Sequence, residues 1–319
     1  MKDDVRRTTF VVNAHAGGGK TGRRWATLEP RMREIFPEAE VQFTQGKSDG
    51  IRVALEAAAR GQQLVVAVGG DGTLHEVMNG LMHGIVNPNP DHPHEEVILG
   101  VLPTGSASDF ARGLAVPDDY ESALILLRNG KPRRIDLGLV EAVDEAGGKV
   151  RRYFLNAADF GIGAEVVARV QERPKYLPGR PTYLWQTVRT LVTYRNPTAT
   201  LTVDDGTPYP RTFKSIVLAN APFFGGGMCI APDAKPDDGS LDLVELGDLG
   251  RLEAIRRLGE TFQGRRIEHR DIHYSRCKKL HASSDSCVRI EADGELIGQL
   301  PATFRVVPDA LSMLLPAGL

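Results

Sequence analysis

The order of apolar and polar positions predicts two halves of different architecture. Up to about residue 135, short apolar runs alternate with stretches of helical periodicity. The predicted strands cover 9–13, 40–44, 64–68 and 97–102, and the predicted helices run to about residue 36 and cover 49–60, 74–83, 106–114 and 120–128. Strands that alternate with helices favour a parallel sheet covered by helices. This half is therefore predicted to be an α/β domain of three layers.

After residue 135 the chain consists mainly of short β-rich runs. The predicted strands cover 135–143, 153–160, 199–203, 215–220, 241–246, 279–282, 288–292 and 303–307, with helices at 182–194 and 252–262. Such runs indicate a mainly antiparallel domain, either a β-sandwich or a partly open barrel, and the sandwich is our prediction. We predict domains at 1–135 and 136–319, with about the last 12 residues packing back on the first domain.

A glycine turn between a strand and a helix, Gly-Gly-Asp-Gly-Thr at 69–73, is the most informative stretch. Glycines let the backbone approach a ligand closely, and the N–H groups at a helix start favour an anion. A carboxylate beside phosphates repels them unless a cation intervenes, so Asp71 indicates a nucleotide held with Mg²⁺. The alternative is a tight turn in which Asp71 bonds local amides. Thr73 and Glu76 are predicted to form a capping box.

Three more turns follow strands of the first half. They lie at Asn13 to Lys20, at Thr44 to Gly46 and at 103–112. In an open parallel sheet such turns share the carboxyl edge, where ligands bind. The glycines at 17–19 do not have the Walker spacing, which excludes a P-loop NTPase.

Two acidic turns mark the second half. The stretch 231–242 combines several Asp residues with glycine, which suits either a hard cation or a plain Asp-Gly turn. Near the end, Asp293 and Glu295 flank Gly294. One of them is a candidate general base towards a hydroxyl, and the alternative is an ordinary hairpin turn.

Charge and composition narrow the classes of function. A net charge of −2 excludes a generally basic nucleic-acid binder, and three cysteines without a Cys-x-x-Cys pair indicate reduced thiols. The N-terminus lacks the apolar stretch of a signal peptide, so a cytoplasmic location is expected, with peripheral contact at the inner membrane surface. The sequence has no heptad pattern, so it leaves the oligomeric state open.

Two sets of residues suit a lipid substrate, each with a plainer alternative. Phe223, Phe224 and Met228 either accept acyl chains or belong to the core. Residues 169–195 and the basic run 256–279 either dock on an anionic membrane surface or are solvated faces of helices. In the first of these segments, Arg173 and Lys175 are the positions where charge reversal is expected to weaken binding to anionic vesicles.

The motifs together resemble the diacylglycerol kinase catalytic family, in particular the soluble bacterial lipid kinases related to sphingosine kinases and more distantly to NAD kinases. The resemblance covers nearly the whole chain, with its motifs in family order at 13–19, 69–73, 103–112, 225–241 and 293–295. It implies a nucleotide domain like that of NAD kinases, a β-sandwich domain and an active site in the cleft between them. It also implies a lipid kinase in which ATP with Mg²⁺ phosphorylates a hydroxyl of a lipid such as diacylglycerol.

The resemblance also implies roles for individual residues. Asp293 or Glu295 stands at the position of the catalytic base, with Asp71 acting through Mg²⁺. The implied nucleotide contacts are Asn13, Thr44, Gly69, Gly70, Asp71, Gly72, Thr73, Leu74, His75 and Ser106. A structural Mg²⁺ is implied at Asp238, with carbonyls from Lys235 and Ser240.

The chain departs from the family pattern in two places. Where the family usually reads Gly-Thr-Ala-Asn-Asp-Phe, this chain has Gly-Ser-Ala-Ser-Asp-Phe at 105–110, and Ala14 replaces the usual proline after Asn13. Both changes concern the nucleotide contacts. The alternatives to a lipid kinase are a NAD kinase that acts on a soluble acceptor, and a non-catalytic nucleotide or lipid sensor. The interpretation as a NAD kinase leaves the turns at 225–241 and 293–295 unexplained.

Overall fold

The structure is a computed structural model that describes residues 6–86, 96–105, 108–172 and 180–316, with the backbone alone for 180–184. Two compact units divide the chain. The first runs to Ile135 and resumes at Ala310, and the second comprises Asp136–Asp309.

The first unit is built on a parallel sheet. Its strands are β1 (Thr8–Val12), β2 (Glu40–Phe43), β3 (Leu64–Gly69) and β4 (Ile98–Pro103), in the order β4-β3-β1-β2. The end of the last strand of the chain, β17 (Glu295–Leu314), lies parallel beside β4, where Ser312 pairs with Ile98. All six residues of β3 are buried, as a strand covered on both faces requires.

Helices cover both faces of this sheet. They are α1 (Ala16–Ile35), α2 (Asp49–Ala59), α3 (Asp71–Val86), α4 (Asp109–Gly113) and α5 (Tyr120–Asn129). Helices α1 and α5 share a core with one sheet face, through side chains such as Trp25, Met32 and Leu124. Helices α2 and α3 pack together against β1 and β3. The predicted three-layer α/β fold is confirmed.

The described residues of the second unit form antiparallel strands and three α-helices. The strands are β5 (Pro132–Val143), β6 (Lys149–Phe154), β7 (Ala157–Gly161), β8 (Thr198–Val203), β9 (Tyr209–Thr212), β10 (Ser215–Ala219), β11 (Phe223–Phe224), β12 (Met228–Cys229), β13 (Leu241–Leu246), β14 (Ile272–Cys277), β15 (Lys279–Ser283), β16 (Arg289–Ala292) and most of β17. The helices are α6 (Ile162–Gln171), α7 (Arg180–Thr193) and α8 (Arg251–Leu258), followed by a 3₁₀ turn at Glu260–Phe262.

Alternation along these strands separates two apolar layers. The strands run in the order β14-β13-β10-β7-β16-β17, and β17 also pairs with β15 and β5. One layer is a sandwich core in which Phe160 stacks on Phe304 and meets Phe213 edge-on. The other layer lies under the helices and includes Val217 and Leu191. The predicted antiparallel sandwich is thereby confirmed.

Two strand predictions differ from the structure. The predicted strand at 153–160 is interrupted between β6 and β7, because the N–H groups of residues 155–157 donate to the carboxylate of Asp293. The predicted strand at 303–307 is one part of the much longer β17. A local alternation pattern contains no information about a partner so distant in the chain.

Candidate active site

The carboxyl edge of the parallel sheet has a switch point between β1 and β3. From β1 the chain moves outward to β2 and then returns to form β3 on the other side of β1. Ligands of open α/β sheets bind at such a crevice. Here Asn13 follows β1 and the turn 69–73 follows β3. The Asn13 Nδ2 group donates to Thr73 Oγ1 at 3.1 Å, which joins the two turns.

Glycines allow this edge to pack without side chains. A Cβ on Gly69 would lie 2.3 Å from Thr73 Oγ1, and a Cβ on Gly105 would lie 2.5 Å from the Gly70 Cα. The N–H groups of Thr104 and Gly105 donate to the Gly69 carbonyl at 2.9 and 3.1 Å. The turns after β3 and β4 therefore form one backbone surface.

The turn after β1 joins the same surface. Gly17, Gly18 and Gly19 have φ values of 61°, 68° and 81°, in the left-handed region that glycine adopts without strain. One turn further along α1, the buried hydroxyls of Thr21 and Thr104 lie 2.8 Å apart. The predicted turns after β1, β3 and β4 thus meet at this edge.

The Asp71 carboxylate connects two of these segments. It is half-buried, and it accepts hydrogen bonds from the N–H groups of Asp109 and Phe110 at 3.0 and 3.2 Å. Asp71 therefore bonds backbone amides, as the plainer sequence interpretation expects, but these amides belong to α4 and not to its own turn. A carboxylate has about four acceptor positions, so such bonds are compatible with a role as one ligand of a cation.

The remaining predicted nucleotide contacts differ in exposure. Gly72 is exposed, and a Cβ placed on it would have no neighbour within 4 Å. Thr44 is buried, and its N–H donates to the Val12 carbonyl at 3.0 Å. The side chains of Leu74 and His75 are buried as well, so they reach the edge only through their backbone. Ser106 lies outside the described residues.

The predicted capping box at Thr73 and Glu76 is wrong. Helix α3 begins at Asp71, which places Thr73 inside the helix. The Glu76 carboxylate accepts from the N–H groups of Ser48 and Gly50 at 2.8 and 2.9 Å, at the start of α2. Glu76 therefore caps a neighbouring helix, a partner that spacing along the chain does not reveal.

The second unit holds the other predicted acidic turn in a two-residue hairpin. Ala292 pairs with Glu295, and Asp293 and Gly294 have φ values of 50° and 84°. This is the geometry that an Asp-Gly hairpin favours. The Asp293 carboxylate accepts from the N–H groups of residues 155, 156 and 157 at 2.8, 2.9 and 3.3 Å, while Glu295 is half-buried beside it in the chain. Asp293 is therefore held in one orientation.

Two buried carboxylates near this hairpin were not predicted. Glu291 on β16 pairs directly with Asp159 on β7, and both side chains are almost fully buried. Burial raises the pKa of the Asp159 carboxyl to about 7. Burial, together with the charge of Asp159, raises the pKa of Glu291 well above its ordinary value. The sequence does contain one signal for such a site, because Asp159 is the only charged residue in the run of small and apolar residues at 157–161.

The Asp-Gly turn predicted to bind a structural Mg²⁺ has a different organisation. The Asp238 carboxylate forms an ion pair with Arg276 and accepts from the Ser240 N–H at 3.1 Å. The Gly239 N–H donates at 2.7 Å to Asp136, a buried carboxylate that the sequence analysis missed. Lys235 is exposed. Within the described ranges no three His, Cys, Asp or Glu side chains are grouped to hold a metal.

This donor set does not favour a cation at the turn, because Arg276 already neutralises its carboxylate. Magnesium prefers several oxygen ligands. The site at Lys235, Asp238 and Ser240 stays a prediction.

Comparison with known proteins identifies the family. The diacylglycerol kinase catalytic domain model matches residues 7–140, and the model of the YegS C-terminal NAD kinase beta sandwich-like domain matches residues 156–315. The chain belongs to the diacylglycerol kinase family. It is therefore a kinase, as predicted from its motifs.

Relatives of this kinase match over most of their length. A "Diacylglycerol kinase" of Bacillus subtilis is 29% identical over 301 residues, covering 94% of this chain and 93% of the relative. A "Probable lipid kinase YegS-like" of Chromohalobacter salexigens is 30% identical over 288 residues, covering 90% and 87%.

Solved structures support the fold of the kinase. A crystal structure of a diacylglycerol kinase from Bacillus anthracis has a TM-score of 0.71 at 20% identity and covers 99% of both chains. Yeast NADH kinase, solved with NADH, has a TM-score of 0.53 at 11% identity and covers 97% of this chain and 83% of the yeast chain. The predicted likeness to the NAD kinase fold is confirmed.

The second unit of the kinase contains a cavity of about 100 Å³ between the sheet and its helices. Most of its wall is apolar and includes Phe224 and Met228, two of the three side chains for which acyl contact was an alternative. Asp159, Lys214 and Arg257 also line it.

The surface of the kinase exposes apolar side chains on α7 and α8. Trp185 and Val192 on α7 are 62% and 49% exposed, and Leu252 on α8 is 85% exposed. Arg189 is exposed between Trp185 and Val192 on the same face of α7, since residues four and seven positions apart share a helix face. None of the described helices is long and apolar enough to span a bilayer.

Proposed function

We propose that this kinase transfers the γ-phosphoryl group of ATP to a hydroxyl group of a lipid such as diacylglycerol. Membership of the family and the names of the relatives support a lipid acceptor. The observation that carries the proposal is the junction at the switch point. There the Asn13–Thr73 hydrogen bond and the close approach of Gly70 and Gly105 leave a backbone surface suited to phosphates.

The donor nucleotide binds at this surface. The first N–H groups of α3 lack acceptors within the helix, and the helix dipole favours an anion at the same place. Gly72 leaves room for phosphate oxygens above the turn. Asn13 is joined to the turn by its hydrogen bond to Thr73, and Thr44 follows β2 at the same edge of the sheet. Asp71 is the residue that would hold Mg²⁺, which neutralises charge on the triphosphate when it is bound.

The acceptor side consists of the hairpin at Asp293 and Glu295. Phosphoryl transfer asks little covalent chemistry of a protein beyond aligning the acceptor oxygen and accepting its proton. Both Asp293 and Glu295 carry a carboxylate that can accept this proton. Asp293 has the fixed orientation that a positioned base requires, through its three backbone N–H donors.

Two features of the second unit suit a lipid acceptor. The cavity lined by Phe224 and Met228 provides an apolar wall for part of an acyl chain. The face of α7 that carries Trp185, Arg189 and Val192 combines exposed apolar groups with a positive charge, which favours peripheral contact with an anionic bilayer. Arg173 and Lys175, the earlier candidates for docking, lie outside the described residues.

The proposal is tested with radiolabelled ATP and Mg²⁺ against separate acceptors. Diacylglycerol, a sphingoid base and phosphatidylglycerol are presented in mixed vesicles, and NAD is supplied in solution. We expect the label to be recovered with the vesicle lipids after extraction, and none to be recovered in NAD. Label in NAD alone would favour the NAD kinase alternative, and no label in any acceptor would favour a sensor.

The Asp71→Asn variant links this activity to the described site. We expect it to reduce turnover by at least about a hundredfold, as loss of a transition-state charge contact does. Asp285→Asn, which changes an exposed carboxylate elsewhere, is the matched control and should retain wild-type turnover. Equal activity of Asp71→Asn and the control would contradict the assignment of the nucleotide site.

A further inference from the structure

Asp159 and Glu291 form a buried carboxylate pair next to the acidic hairpin. They occupy directly opposed positions on the antiparallel strands β7 and β16, with 1% and 3% of each residue exposed. Directly opposed side chains on paired strands have Cβ atoms about 4.5–5.5 Å apart. Because Phe160 and Ile290 face the sandwich core, the pair faces the helical layer.

The hydrogen-bond donors of the pair are all neutral. Asp159 accepts from the Ala164 N–H at 3.1 Å and from the Ser215 hydroxyl at 3.0 Å, and Glu291 accepts from the Gly294 N–H at 2.7 Å. A Cβ on Gly163 would lie 1.9 Å from Asp159 Oδ2, so glycine provides the room for this carboxylate.

No cation compensates the two charges within the described residues. Arg289, on the same strand as Glu291, lies 3.4 Å from Glu165 on α6 and 3.9 Å from Glu145. The Lys214 ammonium lies 5.8 Å from the centre of the Tyr194 ring and forms no ion pair in the described chain.

Arg257, which lines the same cavity as Asp159, forms ion pairs with Glu253 and Glu260. The nearby carboxylates add negative charge to the pair. Asp293 and Glu295 in the hairpin both disfavour ionisation of Glu291. Burial raises the pKa of the Tyr194 hydroxyl, and the negative charges of Asp159 and Glu165 raise it further. Two carboxylates that share a buried site without a cation cannot readily both ionise.

We propose that Asp159 and Glu291 retain one proton between them in the folded kinase, and that Glu291 positions the Asp293-Gly294 turn through its hydrogen bond to Gly294. The second part rests on the proposed function, because it assigns the hairpin to the acceptor side. Asp159 lines the cavity proposed for part of an acyl chain, but neither carboxylate is proposed to contact the reacting groups. Their effect is indirect: Gly294 follows Asp293, and rotation of the peptide between them moves the Asp293 carboxylate.

The retained proton is tested by equilibrium unfolding, without any need for activity. Both carboxylates have ordinary pKa values near 4 in the unfolded chain, so the folded protein binds the extra proton above that pH. The contribution of the pair to stability is then fully present at low pH and is lost as pH rises through the raised folded pKa values, by about tenfold in the unfolding equilibrium constant per pH unit and per proton.

We therefore expect wild type to lose more stability between pH 5 and 9 than the Asp159→Asn/Glu291→Gln double variant. Asp285→Asn, an exposed carboxylate substitution, should follow wild type. If the free energy of unfolding changes with pH in the same way in wild type and in the double variant, the proposal that the pair retains a proton is wrong.

The positioning role is tested by kinetics at a pH near 7, with diacylglycerol vesicles and ATP. Glu291→Gln keeps an oxygen that accepts from Gly294, so we expect kcat and KM within about threefold of wild type. Glu291→Leu lacks the acceptor, and we expect kcat to fall about tenfold or more with KM for ATP unchanged. We expect wild-type kcat to fall at alkaline pH as the pair loses its proton, and this fall should move to higher pH in Glu291→Gln, where only one carboxyl of the pair can ionise.

Two kinetic results would overturn the positioning role: equal kcat in wild type and Glu291→Leu, or equal losses in Glu291→Gln and Glu291→Leu at every pH. If wild type phosphorylates no lipid, the proposed function fails, and the unfolding experiment still decides whether the proton is retained.

Discussion

Gly70 and Gly105 lie so close together that a Cβ on Gly105 would lie 2.5 Å from the Gly70 Cα and 3.1 Å from its backbone nitrogen. Both obstructing atoms belong to the backbone and cannot rotate away. The contact joins the turns after β3 and β4, and with them the surface proposed to hold the nucleotide.

Substitution of Gly105 by alanine should therefore destabilise the first unit. Insertion of a methyl group into such a contact is expected to lower the free energy of unfolding by about 1–3 kcal/mol. Because the turn must shift, KM for ATP should rise as well. Thermal unfolding and initial-rate kinetics measure the two effects, and wild-type stability would show that the turns are not in this contact.

Gly72→Ala is expected to separate binding from folding. A Cβ at this position has no neighbour within 4 Å. The free energy of unfolding should therefore be unchanged or slightly higher, because alanine has a higher helix propensity than glycine. The same methyl group would occupy space proposed for phosphate oxygens, and KM for ATP should rise at least about tenfold. An unchanged KM together with unchanged stability would argue against phosphates above this turn.

Asp293→Asn and Glu295→Gln are expected to differ in stability. Asp293 accepts from three backbone N–H groups, and an amide cannot accept from all of them. The free energy of unfolding should fall by about 1–3 kcal/mol in Asp293→Asn, a larger loss than in Glu295→Gln, which leaves the three hydrogen bonds of Asp293 intact.

Lipid phosphorylation at temperatures where both variants are folded then identifies the base. We expect the larger loss of kcat in Asp293→Asn. The larger loss in Glu295→Gln would assign the proton to Glu295 and leave Asp293 as an anchor of the hairpin.

Negative charge at the exposed apolar positions of α7 and α8 should weaken membrane binding. Trp185→Glu and Leu252→Glu are each expected to reduce binding to anionic vesicles about fivefold or more, since one charge near such a surface contributes about 1 kcal/mol. Ile125→Glu on α5, where the side chain is 48% exposed, is a matched control. Sedimentation with vesicles measures the binding, and equal losses in all three variants would point to net charge instead of a docking face.

The fold class could be predicted because its signals are local. Alternating strands and helices, glycine turns at strand ends and an Asp-Gly hairpin are each properties of a few neighbouring residues. The same is true of the motifs that carry the family resemblance. The break between β6 and β7 and the cap that Glu76 supplies to α2 were missed, because both depend on partners distant in the chain.

The sequence by itself therefore determined the two architectures, the family and the turns at which chemistry is expected. Only the tertiary structure decided which groups meet at those turns: Asp71 with the amides of α4, Asp293 with those of 155–157, and Asp159 with Glu291 across two strands. The physical reason is that strand order and register bring together residues whose separation along the chain has no periodic signature, and burial then raises the pKa of Asp159 and Glu291.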